Sequence, residues 1–340
     1  MNIWQKFSTR HCLKNKYCQL SLISALTVVL FFIALSVGSS GITVSELFKA
    51  ISEGDAEGTA LRILLHIRLP RAAGALLAGS AFAVSGIILQ SVLNNPMAAP
   101  NLIGVNAGAG FAVILTMAVF PRLIYLLPLS AFAGALLTAV VIYSVSMITG
   151  AGRITVTLVG IAVSSILTAG INTVKTLFPD SVYDVSGFLI GGLSSVDAAS
   201  VIPAGILILL SLAVAIALSR TLDVLSLGDE MAWGLGLNVR RVKLFWLMLA
   251  AILAGAAVSF SGLIGFVGLI VPHIMRRIFG NIHRWLIPVS VFGGGALLLA
   301  TDTVARTLFS PYELPVGILL SLIGGPFFIF LILVEGRGKS

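Results

Sequence analysis

The stretch RTLDVLSLGDEMAWGLGLNVRRVK (Arg220–Lys243) gathers four basic and three acidic side chains between flanks that carry almost none. Hydrophobic residues make up 58% of the 340-residue chain and charged residues only 10%, whereas a soluble domain needs about a quarter charged residues to cover its surface. Most of this surface must therefore face lipid, and the polar stretch marks a place where the chain leaves the bilayer. Outward from it, runs without Asp, Glu, Lys or Arg cover Tyr17–Ser45, Ala72–Pro121, Leu123–Gly152, Ile154–Val174, Ala198–Ser219, Leu244–Met275, Trp285–Thr301 and Leu314–Val334. A helix crossing the hydrocarbon needs roughly 20 apolar residues at about 1.5 Å each. Ala72–Pro121 has room for two crossings, split by NNPMAAPN (Asn94–Asn101). Leu244–Met275 holds two more, the second short and broken by SGLIGFVG (Ser261–Gly268) and Pro272. The count is about ten spanning helices, because irregular backbone exposed to lipid would leave costly unpaired N–H and C=O groups. The expected fold is an all-α, polytopic membrane protein, with residues 1–340 forming one domain.

Charge placement tests that count. With the N-terminus inside and ten crossings, 14 of the 21 Lys and Arg residues fall in cytoplasmic segments and seven in outer ones, as the positive-inside rule requires. One helix more or fewer would invert every downstream loop and spoil this balance. Both termini are then cytoplasmic, and the net charge of +8 reflects topology and not a nucleic-acid partner, which would need clustered basic patches. The first apolar run reads as a retained helix, too long for a secretory signal. Cys12 and Cys18 sit at its inner end, on the reducing side, and read as two thiols.

Catalytic chemistry is not visible. There is no His-Glu-x-x-His or Cys-x-x-Cys pattern, and His11, His66, His273 and His283 are scattered without metal-ligand spacing. GRGKS at the C-terminus mimics the end of a phosphate-binding loop, but Leu333 stands where the pattern needs Gly and no helix follows. No Gly-x-Ser-x-Gly occurs. A secondary transporter driven by protons or sodium is the rival reading, and such proteins bury titratable or coordinating groups within the membrane. Here only Lys175, Asp302 and Arg306 come near the spans, all at outer helix ends. Asp302 and Arg306, four residues apart on one helix face, are expected to pair. A transporter without a coupling group or nucleotide motif must draw its energy from a partner.

By the helix count Arg220–Lys243 is the largest cytoplasmic segment. Its pattern gives two short helices, one over LSLGDEMAWGLG with Asp229 and Glu230 early in a turn, and one beginning at the N-cap Asn238 and entering the next span. Gly228, Gly234 and Gly236 allow sharp corners. Leu225, Leu227, Met231, Trp233, Leu235 and Leu237 are too apolar for a solvated loop, and short helices with apolar side chains inside a charged rim form a docking surface.

Five motifs in order extend the reading: RLPR (Arg68–Arg71), SGIILQSVLNNPMAAPNLIGVNAGAGF (Ser85–Phe111), LSLGDEMAWGLGLNV (Leu225–Val239), GFVGLIVPHIMRRIFG (Gly265–Gly280) and ELPVGILLSLIGGPFFIFLIL (Glu313–Leu333). With these the chain resembles the FecCD family, the permeases of type II ATP-binding-cassette (ABC) importers for iron–siderophores, haem and vitamin B12, from about Ile42 to Val334. The resemblance implies a BtuC-like permease fold in the cytoplasmic membrane of a bacterium or archaeon. It also implies a second permease copy or homologue, two cytoplasmic ATPase subunits and one extracytoplasmic binding protein. No cofactor is expected on this chain, ATP and Mg belonging to the ATPase partners. The polar loop would supply the coupling helices, with Leu227, Gly228, Asp229, Glu230, Ala232, Leu235, Gly236 and Leu237 touching the ATPase. Arg68, Arg71 and Arg306 (in DTVARTLF) match outer arginines that pair with glutamates of the binding protein, a task that suits a permanently charged, bidentate guanidinium.

The pathway is less marked. Thr157, Ile161, Ser164, Thr168 and Asn172 share one face of the fifth span. Small polar residues there either line a channel or join helices, and the resemblance places this span and the tenth beside the channel. Asn94, Asn95 and Pro96, with Val271–His273, read as helix breaks near the cytoplasmic end, the first a candidate gate. Ser85–Pro96 and Ser261–Pro272 share five of twelve positions, a hint of duplication. The expected cargo is an iron–siderophore complex, with haem or cobalamin as alternatives.

Overall fold

The computed structural model describes residues 16–38, 59–101, 104–148 and 153–337. Cys12, the basic residues Lys6, Arg10 and Lys14, and Lys339 in the C-terminal tail lie outside the described residues. The helices are α1 (Lys16–Ser36), α2 (Thr59–Val92), α3 (Val105–Val119), α4 (Leu127–Ile148), α5 (Arg153–Leu177), α6 (Asp180–Ile190), α7 (Ala198–Ala217), α8 (Ser219–Leu225), α9 (Asp229–Gly234), α10 (Val239–Ser261), α11 (Val267–Phe279), α12 (His283–Thr307) and α13 (Val316–Arg337). Seven are long and apolar enough to cross a membrane. With the apolar stretches Val105–Val119 and Val316–Leu331 and the 13-residue α11, the described helices agree with the expected count of about ten.

Helix α2 forms the axis of the bundle. It runs for 34 residues, about 50 Å at 1.5 Å per residue, with a π-helical turn at Leu64–Arg68 just before Pro70. Pro70 has no N–H to continue the ladder and its ring crowds the preceding turn; the widened turn absorbs both defects. Beyond it the sequence AAGALLAGSAFAVSG is almost wholly small, and nearly every residue from Pro70 to Val92 is buried. Small residues let backbones approach closely. A side chain at Gly79 would strike the backbone of Gly294 in α12, and one at Gly86 the backbone of Gly268 in α11. Helices α10, α11 and α12 pack around α2, whereas α1, α4, α5 and α7 turn apolar side chains such as Phe32, Leu137, Ile166 and Leu210 outward.

The break before α11 and the end of α6 satisfy one another, with Asn106 of α3 adding a side-chain bond. At 15 and 13 residues α3 and α11 reach only about 20 Å, short of the roughly 30 Å hydrocarbon core, so irregular backbone completes each crossing. Such backbone persists only where its polar groups are paired. Asn106 Nδ2 donates to Ile264 O at 3.4 Å, Leu263 N donates to Phe188 O at 3.0 Å, Gly192 N to Ser261 O at 3.0 Å, and Gly317 N to Gly191 O at 3.0 Å. Gly262 and Gly191 both take positive φ, 69° and 85°, which glycine allows without strain.

Four expectations need correction. Helix α6 was not anticipated, because Asp180 and Asp184 remove it from any charge-free run. Val271–His273 is not a break: Pro272 lies inside the continuous α11, and the interruption comes earlier, between α10 and α11. The repeat is not structural, since Ser85–Pro96 runs from a helix into a turn and Ser261–Pro272 from a break into a helix. Cys18 is disulfide-bonded; the thiol expectation rested on compartment alone.

Candidate functional site

The polar stretch folds into an elbow of two short helices, α8 and α9, joined by a tight turn through Gly228 at φ 105° and leaving α9 through Gly236 at φ 84°. Asn238 then caps α10, its side chain accepting from Arg241 N at 3.2 Å. The helix expected over Leu225–Gly236 is the shorter α9, the one expected from Asn238 is the start of α10, and α8 precedes both without having been expected. Leu227, Met231, Trp233 and Leu235 project outward, 55–76% exposed, beside exposed Glu230. This contiguous apolar ridge is one that solvent alone does not explain. Of the eight residues expected to touch an ATPase, Leu227, Asp229, Glu230, Leu235 and Gly236 are exposed and Gly228 is half-buried. Ala232 is fully buried and positions the ridge from beneath, and Leu237 is half-buried against the core.

The elbow is fastened on every side. Leu222 and Leu225 of α8 are completely buried. Thr221 Oγ1 accepts from the buried Trp246 indole at 2.9 Å, and Asp229 Oδ2 meets Lys243 Nζ at 2.6 Å, tying both short helices to α10. Asp223 Oδ1 accepts from His283 N at 2.9 Å and lies 2.7 Å from His283 Nδ1, at the start of α12. His283 Nε2 lies 2.6 Å from Ser91 Oγ in the last turn of α2. Asn94 Nδ2 donates to Leu225 O at 3.4 Å. Asp223, His283 and Ser91 were not singled out from the sequence; their separations of 60 and 192 residues leave no local pattern.

At the outer end the arginines behave differently from expectation. Arg68, Arg71 and Arg306 are all buried, 2–6% exposed, and engaged within the chain. Arg68 Nη1 donates to the carbonyls of Leu35 and Ser36 at 3.0 and 2.9 Å, closing the C-terminus of α1. Arg71 grips Asp302, with Nε 3.1 Å from both carboxylate oxygens and Nη2 2.9 Å from Oδ1, and its Nη1 reaches Glu313 Oε2 at 2.7 Å. Arg306 donates to Ala34 O and stands 3.7 Å from Asp302 Oδ2. The anticipated Asp302–Arg306 pair is therefore present but secondary to Arg71. Docking through exposed guanidiniums at these three positions is corrected: motif position does not reveal burial.

Thr168 and Asn172 lie on the exposed face of α5 and Thr157 is half-buried there, whereas Ser164 turns toward Gly104 and bonds its own helix at Gly160 O, 2.7 Å away. Asn94 and Asn95 cap α2: Asn94 takes φ 46°, and Asn95 Oδ1 accepts from Met97 N at 3.0 Å, with Pro96 exposed at the corner.

This geometry has close counterparts. Residues 26–334 match the model of the FecCD transport family. The chain is 38% identical over 325 residues to the hemin transport system permease HmuU of Yersinia pestis, covering 94% of this chain and 97% of that one. It is 40% identical over 310 residues to the iron(3+)-hydroxamate import permease FhuB of Bacillus subtilis, covering 90% and 80%. Among solved structures, an inward-facing metal-chelate type ABC transporter superposes with a TM-score of 0.81 at 26% identity, over 94% of this chain and 99% of that one. An all-α bundle of about ten crossings with a rigidly held polar elbow, matched nearly end to end by ABC permeases, belongs to the FecCD transport family: the chain is a multi-pass permease of the ABC importer type.

Proposed function

We propose that this chain, paired with a second copy, forms the pathway through which an iron–siderophore complex crosses the cytoplasmic membrane by alternating access. Two cytoplasmic ATPase subunits dock on the elbow ridge and an extracytoplasmic binding protein delivers the cargo. ATP and Mg act at the ATPase partners, and the permease carries no reaction of its own. The observation that carries this reading is the ridge Leu227–Met231–Trp233–Leu235, exposed on a loop whose every other face is fastened to the bundle. A lever for a soluble engine needs a surface to be gripped and no slack behind it. With Arg68, Arg71 and Arg306 buried, docking of the binding protein falls to outer groups such as the exposed Arg62 and Arg122. The outward apolar face of α5, where Thr168 and Asn172 interrupt the hydrocarbon side chains, suits a seam with the second copy or the pathway itself.

Iron chelates unite the named relatives, and the hydroxamate and hemin permeases match about equally well. Haem is therefore the second reading for cargo. The test is uptake by proteoliposomes holding this chain with its ATPase and binding-protein partners, offered iron(III) trihydroxamate or haem. ATP-dependent accumulation of the hydroxamate is expected. Uptake of haem alone would replace the cargo assignment, and uptake by the permease alone under a proton gradient would overturn the ATP-driven reading.

A further inference from the structure

The two helices that meet at the elbow are joined from Arg71 of α2 to its last turn. At the outer end of this joined stretch Arg71 holds Asp302 of α12. Midway, Gly79 and Gly294 bring the two backbones into contact, and Ser80 Oγ donates to Val291 O at 2.7 Å. At their inner ends Ser91 meets His283. Arg71 and Ser91 are 20 residues apart, about 30 Å along a helix, so the polar clamps stand one hydrocarbon thickness apart. Helix pairs clamped at both ends and in close contact between move as one body.

The elbow joins this body through the buried leucines of α8 and through a buried imidazole. A carboxylate can only accept, so His283 Nδ1 carries the proton given to Asp223. Nε2 lies 2.6 Å from Ser91 Oγ, whose single proton is shared between Nε2 and the carbonyl of Ile87, 2.9 Å away. The chain of bonds Asp223–His283–Ser91 runs from α8 through the first residue of α12 to the last turn of α2. The same turn of α2 is held by Arg276 of α11, which donates to Gln90 Oε1, while Gln90 Nε2 donates to Gly268 O at 3.2 Å. Although the order Ser–His–Asp is that of a hydrolase, Ser91 is buried in a packed helix and its hydroxyl faces protein groups alone.

We propose that Asp223 and His283 are positioning residues that transmit displacement of the elbow to the α2–α12 pair, which carries it across the membrane as one strut. This rests on the reading of the chain as an ATP-driven permease. Deleting the link should leave the ridge, and hence ATPase docking, in place while the strut no longer follows it.

The test uses the complete transporter in proteoliposomes, with whichever of iron(III) trihydroxamate or haem the unaltered complex takes up. D223A and H283A should retain ATPase subunits and ATP hydrolysis within about twofold while uptake per ATP falls about tenfold or more. D223N, which keeps an acceptor oxygen, should recover most of the uptake. The double variant D223A/H283A should be no worse than either single change, because residues acting as one link are non-additive. Uptake per ATP within about twofold of the parent in both single variants, or ATP hydrolysis and uptake falling together, would overturn the proposal. Failure of the unaltered complex to transport at all would instead strike the functional reading on which it rests.

Discussion

Substitution of Asp302 by alanine probes the outer clamp most directly. Its carboxylate accepts three contacts from Arg71 within 3.1 Å and lies 3.7 Å from Arg306, with both members of the main pair buried. Removing one partner of a buried ion pair costs about 3–5 kcal/mol, because the charge left behind has lost its compensation. Glu313 still reaches Arg71 at 2.7 Å from a more exposed position, so the loss should fall near about 3 kcal/mol, roughly a hundredfold in the folding equilibrium. Unfolding of the detergent-solubilised chain by SDS titration, followed through the fluorescence of buried Trp246, would measure it. R71A should cost a similar amount, and R71A/D302A should cost less than the sum by about 1–3 kcal/mol, since the second change removes a charge that the first left stranded. A D302A variant within about 1 kcal/mol of the parent, or strictly additive changes, would refute the clamp.

The ridge, the helix crossing and the outer arginines give further tests. W233D or L235D places a charge on a side chain exposed in the isolated chain, so folding should be unchanged while affinity for the ATPase subunits falls by about 2 kcal/mol or more, near thirtyfold, in a pull-down titration. G79V drives a branched side chain into the backbone of Gly294 and should abolish monodisperse protein in size-exclusion chromatography; G325A, where an added methyl meets nothing within 4 Å, should behave as the parent within about 0.5 kcal/mol. Charge reversal in R68E or R71E should lower the yield of folded protein equally at low and high salt. A normal yield with salt-dependent loss of binding-protein docking would restore these arginines to the outer surface.

The number of crossings was legible because it depends on quantities that add along the chain: apolar length and the placement of Lys and Arg. The elbow was legible for the same reason, since charges and glycines among spans announce an exit from lipid. Side-chain direction was not. Ala232 sits between the exposed Met231 and Trp233 and is wholly buried, which depends on how α9 rolls against α10. Arg68, Arg71 and Arg306 have the charge and the outer position of docking residues, yet the packing of α1, α2 and α12 encloses them. Helix α6 was missed because a filter that rejects carboxylates also rejects a short helix at the membrane boundary, where Asp180 faces outward. The Asp223–His283–Ser91 link joins three distant parts of the chain, so no spacing could have suggested it.

The placement of polar groups also bears on how energy enters. An ion-coupled carrier needs a titratable group that exchanges partners during transport. Asp302 is already held by a guanidinium through several close contacts, and releasing it would strand a buried charge. The inner links are hydrogen bonds that join the Asp223 carboxylate, the His283 ring and the Gln90 amide to neighbouring helices. Between the two ends, α2 and α12 meet through glycines and a serine that bonds a carbonyl, leaving nothing there to titrate. Displacement is therefore cheapest when it is imposed from the elbow and borne by α2 and α12 together. Helices α4, α5 and α7 turn apolar faces outward and pack through their other faces on α3 and α10, where Gly134 lies against the backbone of Gly108.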